Sequence, residues 1–154
     1  IYGCHLIDLI VSILGKPKRV IPFNKKTGID NLDLEDSGFA ILEYDKGIAT
    51  VRINCSEING WERREFTVCG DQGTIMVQPI ETPSKVVICN KEYAKAWNCC
   101  GKEVEIEPQN GRYIDQFKHL YRMINKEEQN PYSYEHEYLV HKLTLEACGY
   151  KFDE

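Results

Sequence analysis

The residues whose types and spacing suggest chemistry open the chain. In Gly3-Cys4-His5-Leu6-Ile7-Asp8, His5 and Asp8 are three positions apart and would share one face of a helix. The positive end of a helix disfavours an imidazolium in the first turn, and a neighbouring carboxylate favours it. An imidazole balanced between these influences can exchange a proton near neutral pH. The plain alternative is a solvated or capping His–Asp pair. A second group, Trp61, Arg63 and Arg64, leads into a strand-like run. An aromatic face with guanidinium forks suits a polyhydroxylated ligand, although the same residues also make ordinary sheet rims. His136 stands near the start of a late helical run, where an exposed helical histidine is the simpler reading, and His119 and His141 have no special context.

The seven cysteines, Cys4, Cys55, Cys69, Cys89, Cys99, Cys100 and Cys148, form an odd set without C-x-x-C spacing. Three fall in strand-like apolar runs, where a free thiol behaves as a small hydrophobe. The vicinal Cys99-Cys100 pair has no partner ligands at metal-site spacing, so it reads as structural and no metal is assigned. Reduced thiols in a cytoplasmic protein are the expectation.

These residues need elements to hold them. Cys4 to Leu14 carries Leu6, Ile7, Leu9, Ile10, Ile13 and Leu14 at helical spacing, with Gly15 and Pro17 as a stop, and predicts a first helix packed on one broad face. Lys18 to Phe23 predicts a short edge strand, because Pro22 cannot donate to a ladder. A polar stretch from Asn24 to Asp36 reads as a solvated loop, acidic from Asp30 onward. Ser37 to Tyr44 and Ile48 to Cys55, joined by Asp45-Lys46-Gly47, predict an antiparallel hairpin with Gly47 at a positive φ. A second hairpin runs from Arg64 to Cys69, through Gly70-Asp71-Gln72-Gly73, to Thr74–Gln78. After the Pro79 to Pro83 break, Lys85 to Cys89 and Glu103 to Ile106 predict two more strands. Beyond Asn110-Gly111, Tyr113, Phe117, Leu120, Tyr121 and Ile124 fall on one helical stripe. Ser133 is a candidate N-cap for a last helix that turns Leu139, Leu143 and Ala147 inward and ends near Gly149.

The fold class expected is α+β, a large, mainly antiparallel open sheet with helices packed on one face. The other face needs cover, and a second subunit is the economical source, so a homo-oligomer through the open sheet face is expected. At 154 residues and 42% apolar composition the chain is sized for one globular domain. Its net charge of -5 has no dense basic run, which argues against nucleic acid. No apolar stretch is long enough to span a bilayer. Gly-x-Gly-x-x-Gly and the P-loop are both absent, so a dinucleotide pyrophosphate has no usual cradle. Ile1 opens the chain almost inside an amphipathic run with no cap ahead of it, which reads as a cut beginning.

Taken in order, Gly3-Cys4-His5-Leu6-Ile7-Asp8-Leu9, Leu14-Gly15-Lys16-Pro17, Arg19-Val20, Leu42-Glu43-Tyr44-Asp45-Lys46-Gly47, Phe66-Thr67-Val68-Cys69-Gly70-Asp71-Gln72-Gly73-Thr74, and Pro79 with Glu81 resemble the C-terminal domain of the Gfo/Idh/MocA oxidoreductases. The resemblance spans essentially the whole chain. It implies an upstream Rossmann domain, absent from residues 1–154, that holds NAD or NADP and supplies a catalytic lysine. This chain would then be the substrate-binding and oligomerisation half, inactive alone, with a sugar, sugar derivative or cyclitol as substrate. By the same resemblance His5 matches the catalytic histidine, which exchanges a proton with the substrate hydroxyl as hydride moves to nicotinamide. Asp8 supports it, and His136 falls where relatives can place a pocket residue. Many members carry an aspartate four residues before this histidine; here that position is Ile1. The alternative is a non-catalytic ligand-binding or dimerisation module on the same sheet fold.

Overall fold

The computed structural model describes residues 3–29, 33–80, 85–90, 101–106, 111 and 113–152. They divide into two compact units, one of residues 1–57 with 130–154 and one of residues 58–129. The expectations placed on Ile1, Asp30, the Pro83 end of the proline break, Glu81, Asn110 and the Cys99-Cys100 pair lie outside the described residues.

In the first unit, helix α1 spans Gly3–Leu14. Ile7, Ile10 and Val11 are buried, but Leu9, Ile13 and Leu14 are exposed, so the buried stripe is narrower than the broad face expected. The helix stops as predicted: Gly15, at φ 72°, donates its N–H to the Val11 carbonyl at 2.8 Å. Strand β1 is Arg19–Lys25, β2 is Ser37–Tyr44 and β3 is Gly47–Asn54. They form an antiparallel sheet in the order β1-β2-β3, which leaves Pro22 on an edge strand. The β2–β3 hairpin closes on the Tyr44–Gly47 pair. Gly47 already belongs to the strand and is not among the positive-φ glycines, because Asp45 and Lys46 make the turn alone.

Helix α3, Tyr134–Ala147, closes this unit. Ser133 caps it as expected, its hydroxyl accepting the His136 backbone N–H at 3.1 Å. Val140 and Leu143 are buried, and Leu139 and Ala147 half-buried. α1 packs on α3 and β3, and α3 packs on β1. The core is therefore built from Ile7, Ile10 and Val11, Ala40 and Leu42 of β2, Val51 of β3, and Val140 and Leu143. Ala40 and Leu42 point the same way because side chains alternate along a strand. Two polar ties hold the rim: Asn24 donates to the Ala147 carbonyl at 3.0 Å, and the Tyr44 hydroxyl to the Gly15 carbonyl at 3.1 Å.

In the second unit a single 3₁₀ turn, Gly60–Arg63, precedes β4 (Phe66–Cys69), β5 (Gly73–Val77), β6 (Lys85–Asn90) and β7 (Lys102–Glu105). These pair antiparallel in sequence order. The β4–β5 turn is clamped at both ends, Gly70 N–H to Gly73 O at 2.8 Å and Gly73 N–H to Gly70 O at 3.3 Å. Gly73 must lack a side chain, since a Cβ there would lie 2.3 Å from the Cys89 carbonyl oxygen on β6. Helix α2, Ile114–Ile124, carries the anticipated stripe, but Phe117, Leu120, Tyr121 and Ile124 are all exposed on it, as is Tyr113 at its N-cap.

The α+β class, the antiparallel pairing and the meander order are as expected. The described strands form two ladders, of three and four strands. The break follows β3, where the chain leaves extended pairing for the 3₁₀ turn before β4 begins.

Candidate functional site

α1 and α3 bring the candidate acid–base residues of the first unit together. Asp8 sits at the flank of α1, beside the buried Ile7 and Val11, where α3 packs alongside. The first turn of α3 presents His136 across that seam. Its Nε2 lies 2.7 Å from Asp8 Oδ1. An ionised carboxylate only accepts hydrogen bonds, so Nε2 carries the proton in this contact. The His136 side chain is 21% exposed and that of Asp8 44%, which makes the contact half-shielded rather than a solvated surface pair. Tyr132 packs on the imidazole, ring centroids 5.7 Å apart.

His5 is on the exposed side of α1 and has no hydrogen bond or ion pair among the described residues. The pairing anticipated between His5 and Asp8 is therefore not the bond that forms, since His136 takes the carboxylate. Sequence spacing placed His136 as an exposed helical residue. Its contact joins residues 128 apart, so no local pattern could reveal it. His119, the other histidine with a carboxylate nearby, lies 3.4 Å from Glu128 on the second unit.

In the second unit the Arg64 guanidinium stacks over Trp61, 4.8 Å from the ring centroid. Trp61 is 45% exposed. The turn that carries it is pinned by Gln78, whose amide donates to the Glu62 carbonyl at 3.2 Å, and by Ile80 N–H to Arg64 O at 3.1 Å. Arg63 is exposed on the same turn. Trp61 and Arg64, grouped by their positions in the sequence, are thus in contact.

The first unit also holds an open groove of about 130 Å³, lined chiefly by Gly3, Ile7, Phe39, Val51, Ile53 and Ala147. Asp36 lies on its wall, and the Thr27 hydroxyl followed by the Thr27 backbone N–H hold its carboxyl below the usual value of 3.8. Sequence inspection gave no sign of this groove, because its walls come from α1, the sheet and the end of α3. Neither His5 nor His136 lines it.

Cys55, Cys69 and Cys148 are free thiols and Cys4 is in no disulfide, while Cys89 is disulfide-bonded. This corrects the expectation of uniformly reduced thiols; spacing along a chain does not report which sulfurs meet in space. Among the described residues no three His, Cys, Asp or Glu side chains could together hold a metal ion, and no helix is long and apolar enough to cross a membrane.

Comparison with known proteins covers nearly the whole chain. Residues 1–143 match the oxidoreductase family's C-terminal alpha/beta domain, of the Gfo/Idh/MocA group. No curated protein matches the sequence. Among solved structures, a Thermotoga maritima protein provisionally classed as an oxidoreductase superposes with a TM-score of 0.71 at 19% identity, covering 95% of this chain and 42% of its own. The biliverdin reductase of Synechocystis sp. PCC 6803, solved with biliverdin and NADP+, gives 0.70 at 14% identity, over 96% of this chain and 45% of that one. An oxidoreductase from Bacillus cereus gives 0.63 at 15%, over 96% and 47%. At these identities the structures share the fold, and the chain spans less than half the length of each.

Proposed function

We propose, for a chain that belongs to the Gfo/Idh/MocA oxidoreductase family through its C-terminal alpha/beta domain, that it is the substrate-side half of an NAD(P)-dependent oxidoreductase. The substrate class is a sugar, sugar derivative or cyclitol, altered at one hydroxyl or carbonyl. The observation that carries the reading is His5: an exposed imidazole three residues before Asp8 on the first helix of a chain matched to this family over residues 1–143. An imidazole in that position can take a proton from a substrate hydroxyl on oxidation, or return one to a carbonyl oxygen on reduction. Trp61 with Arg64, and Arg63 beside them, supply a face and donors for a polyhydroxylated substrate.

The described residues do not fit a dinucleotide. Both sheets are antiparallel, and no described strand feeds a helix through a glycine-rich turn, so there is no βαβ crevice or helix start to cradle a pyrophosphate. The reading therefore assigns NAD or NADP to a Rossmann domain upstream of Ile1 and treats residues 1–154 as one C-terminal domain, inactive alone. Ile75 on β5 and Val104 on β7 leave apolar surface exposed on one face of the sheet, which supports homo-oligomer formation through an open sheet face. A cytoplasmic setting belongs to the same reading; Cys55, Cys69 and Cys148 as free thiols favour it, and the Cys89 disulfide weighs against it.

The test is an assay of the longest natural form of the protein against a panel of sugars and cyclitols with either cofactor. His5→Ala is expected to lower turnover roughly 10²- to 10⁴-fold while cofactor binding is retained. An unchanged rate removes His5 from the chemistry, and an NAD(P)-dependent rate from residues 1–154 alone overturns the division of labour. The second reading, a non-catalytic ligand-binding or dimerisation module, is favoured by Ile1, which stands where many relatives carry an aspartate. It predicts ligand binding with no turnover in any form of the protein.

A further inference from the structure

We propose that His136 is a positioning residue for His5 and acts through Asp8: its imidazole holds the Asp8 carboxylate on the face of α1 that His5 shares. The inference rests on the reading of His5 as the proton-exchanging group.

His136 is itself fixed at two points. Its backbone N–H is bound by the Ser133 hydroxyl at 3.1 Å, and its ring lies against Tyr132. The ring nitrogen then reaches Asp8 Oδ1 at 2.7 Å, so the carboxylate is held from a neighbouring helix and not by its own rotamer alone. The packing beneath, with Ile7 and Val11 buried on α1 and Val140 and Leu143 buried on α3, sets where the two helices lie but cannot orient a half-exposed carboxylate.

The free end of that carboxylate is what makes the arrangement useful. Asp8 Oδ2 has no hydrogen bond among the described residues. Residues three apart on a helix differ by about 60° around the axis and by nearly one turn along it. His5 is thus the next group along the ridge, with no partner of its own among the described residues. A carboxylate free to rotate would spend its time in solvent. The His5 ring does not reach that carboxylate in this structure; held by His136, the second oxygen stays available, and the exposed imidazole of His5, by rotating toward it, can donate a ring N–H, which sets which nitrogen of His5 faces a substrate.

Nitrogen-15 NMR of the imidazole rings in residues 1–154 tests the contact without any need for turnover. His136→Leu and Asp8→Asn are each expected to shift the His5 ring-nitrogen signals, and His136→Gln, which keeps an N–H donor, to return them toward wild type. His5 signals that stay unmoved in both disruptive variants overturn the proposal. Should His136→Leu lose its fold, Asp8→Asn decides alone, being isosteric and half-exposed. In the longest natural form, His136→Leu is expected to lower kcat roughly tenfold with KM changed by less than about twofold, and His136→Gln to restore most of the loss. Coupled ring signals with a turnover indifferent to His5→Ala would sink the catalytic reading of His5, leaving the Asp8–His136 contact as a helix clamp.

Discussion

Gly3 opens α1 two residues ahead of His5, and Ile53 of β3 fills the space that a side chain there would occupy. A Cβ at Gly3 would lie 2.4 Å from Ile53 Cδ1 and 3.7 Å from Cγ1. Carbon atoms in contact settle at about 3.5–4.0 Å, so the terminal methyl must move and the rest of Ile53 can stay. Two effects then oppose each other in Gly3→Ala. Alanine is favoured over glycine in a helix by up to about 1 kcal/mol, and pushing Ile53 off its rotamer costs about 0.5–1.5 kcal/mol. The single substitution is therefore expected to lie within about 0.5 kcal/mol of neutral. In an Ile53→Val background, which lacks Cδ1, the obstacle is gone and Gly3→Ala should stabilise by about 0.5–1 kcal/mol. The coupling between the two sites is then about 1 kcal/mol. Urea unfolding followed by far-UV circular dichroism reads this as a midpoint difference of about 0.5 M, given slopes of about 1–3 kcal/mol per M. Equal effects in both backgrounds would refute the close approach, and with it this account of how the helix carrying His5 is seated on the sheet.

Ser133→Ala removes the α3 cap and should cost about 1 kcal/mol, with Ser133→Asn recovering most of it; thermal melts of the three proteins check this. Asp36 has a folded pKa below its ordinary 3.8, so its stabilising contribution is complete above that value and is lost as pH falls through the folded value. Thr27→Val deletes the hydroxyl that contributes most to the shift, and the acid-side fall in urea midpoint below about pH 4 should become shallower. Superimposable pH profiles for the two proteins would show that the Thr27–Asp36 contact does not persist in solution.

The elements were largely legible because their signals are local. Helical spacing and Gly15 bounded α1, Pro22 marked an edge strand, paired glycines marked the β4–β5 turn, and Ser133 marked the start of α3. The stripe of Phe117, Leu120, Tyr121 and Ile124 was equally visible, yet these side chains are exposed on α2. Periodicity identifies an apolar face but not what covers it. Leu9, Ile13 and Leu14 make the same point on α1, where packing selected only part of the apolar surface.

The candidate site divides along the same line. That His5 and Asp8 lie on one face of a helix follows from three residues of spacing and helical geometry, and Trp61 and Arg64 are close enough in the chain for their stacking to be guessed. That Asp8 bonds His136 does not follow from any window of sequence. Their bond spans 128 positions and forms because α1 and α3 pack against one another, burying Ile7, Val11, Val140 and Leu143 and bringing the polar flanks of the two helices within hydrogen-bond distance. Short-range hydrogen bonding and periodicity write the elements; burial of apolar surface between distant segments chooses which polar groups meet.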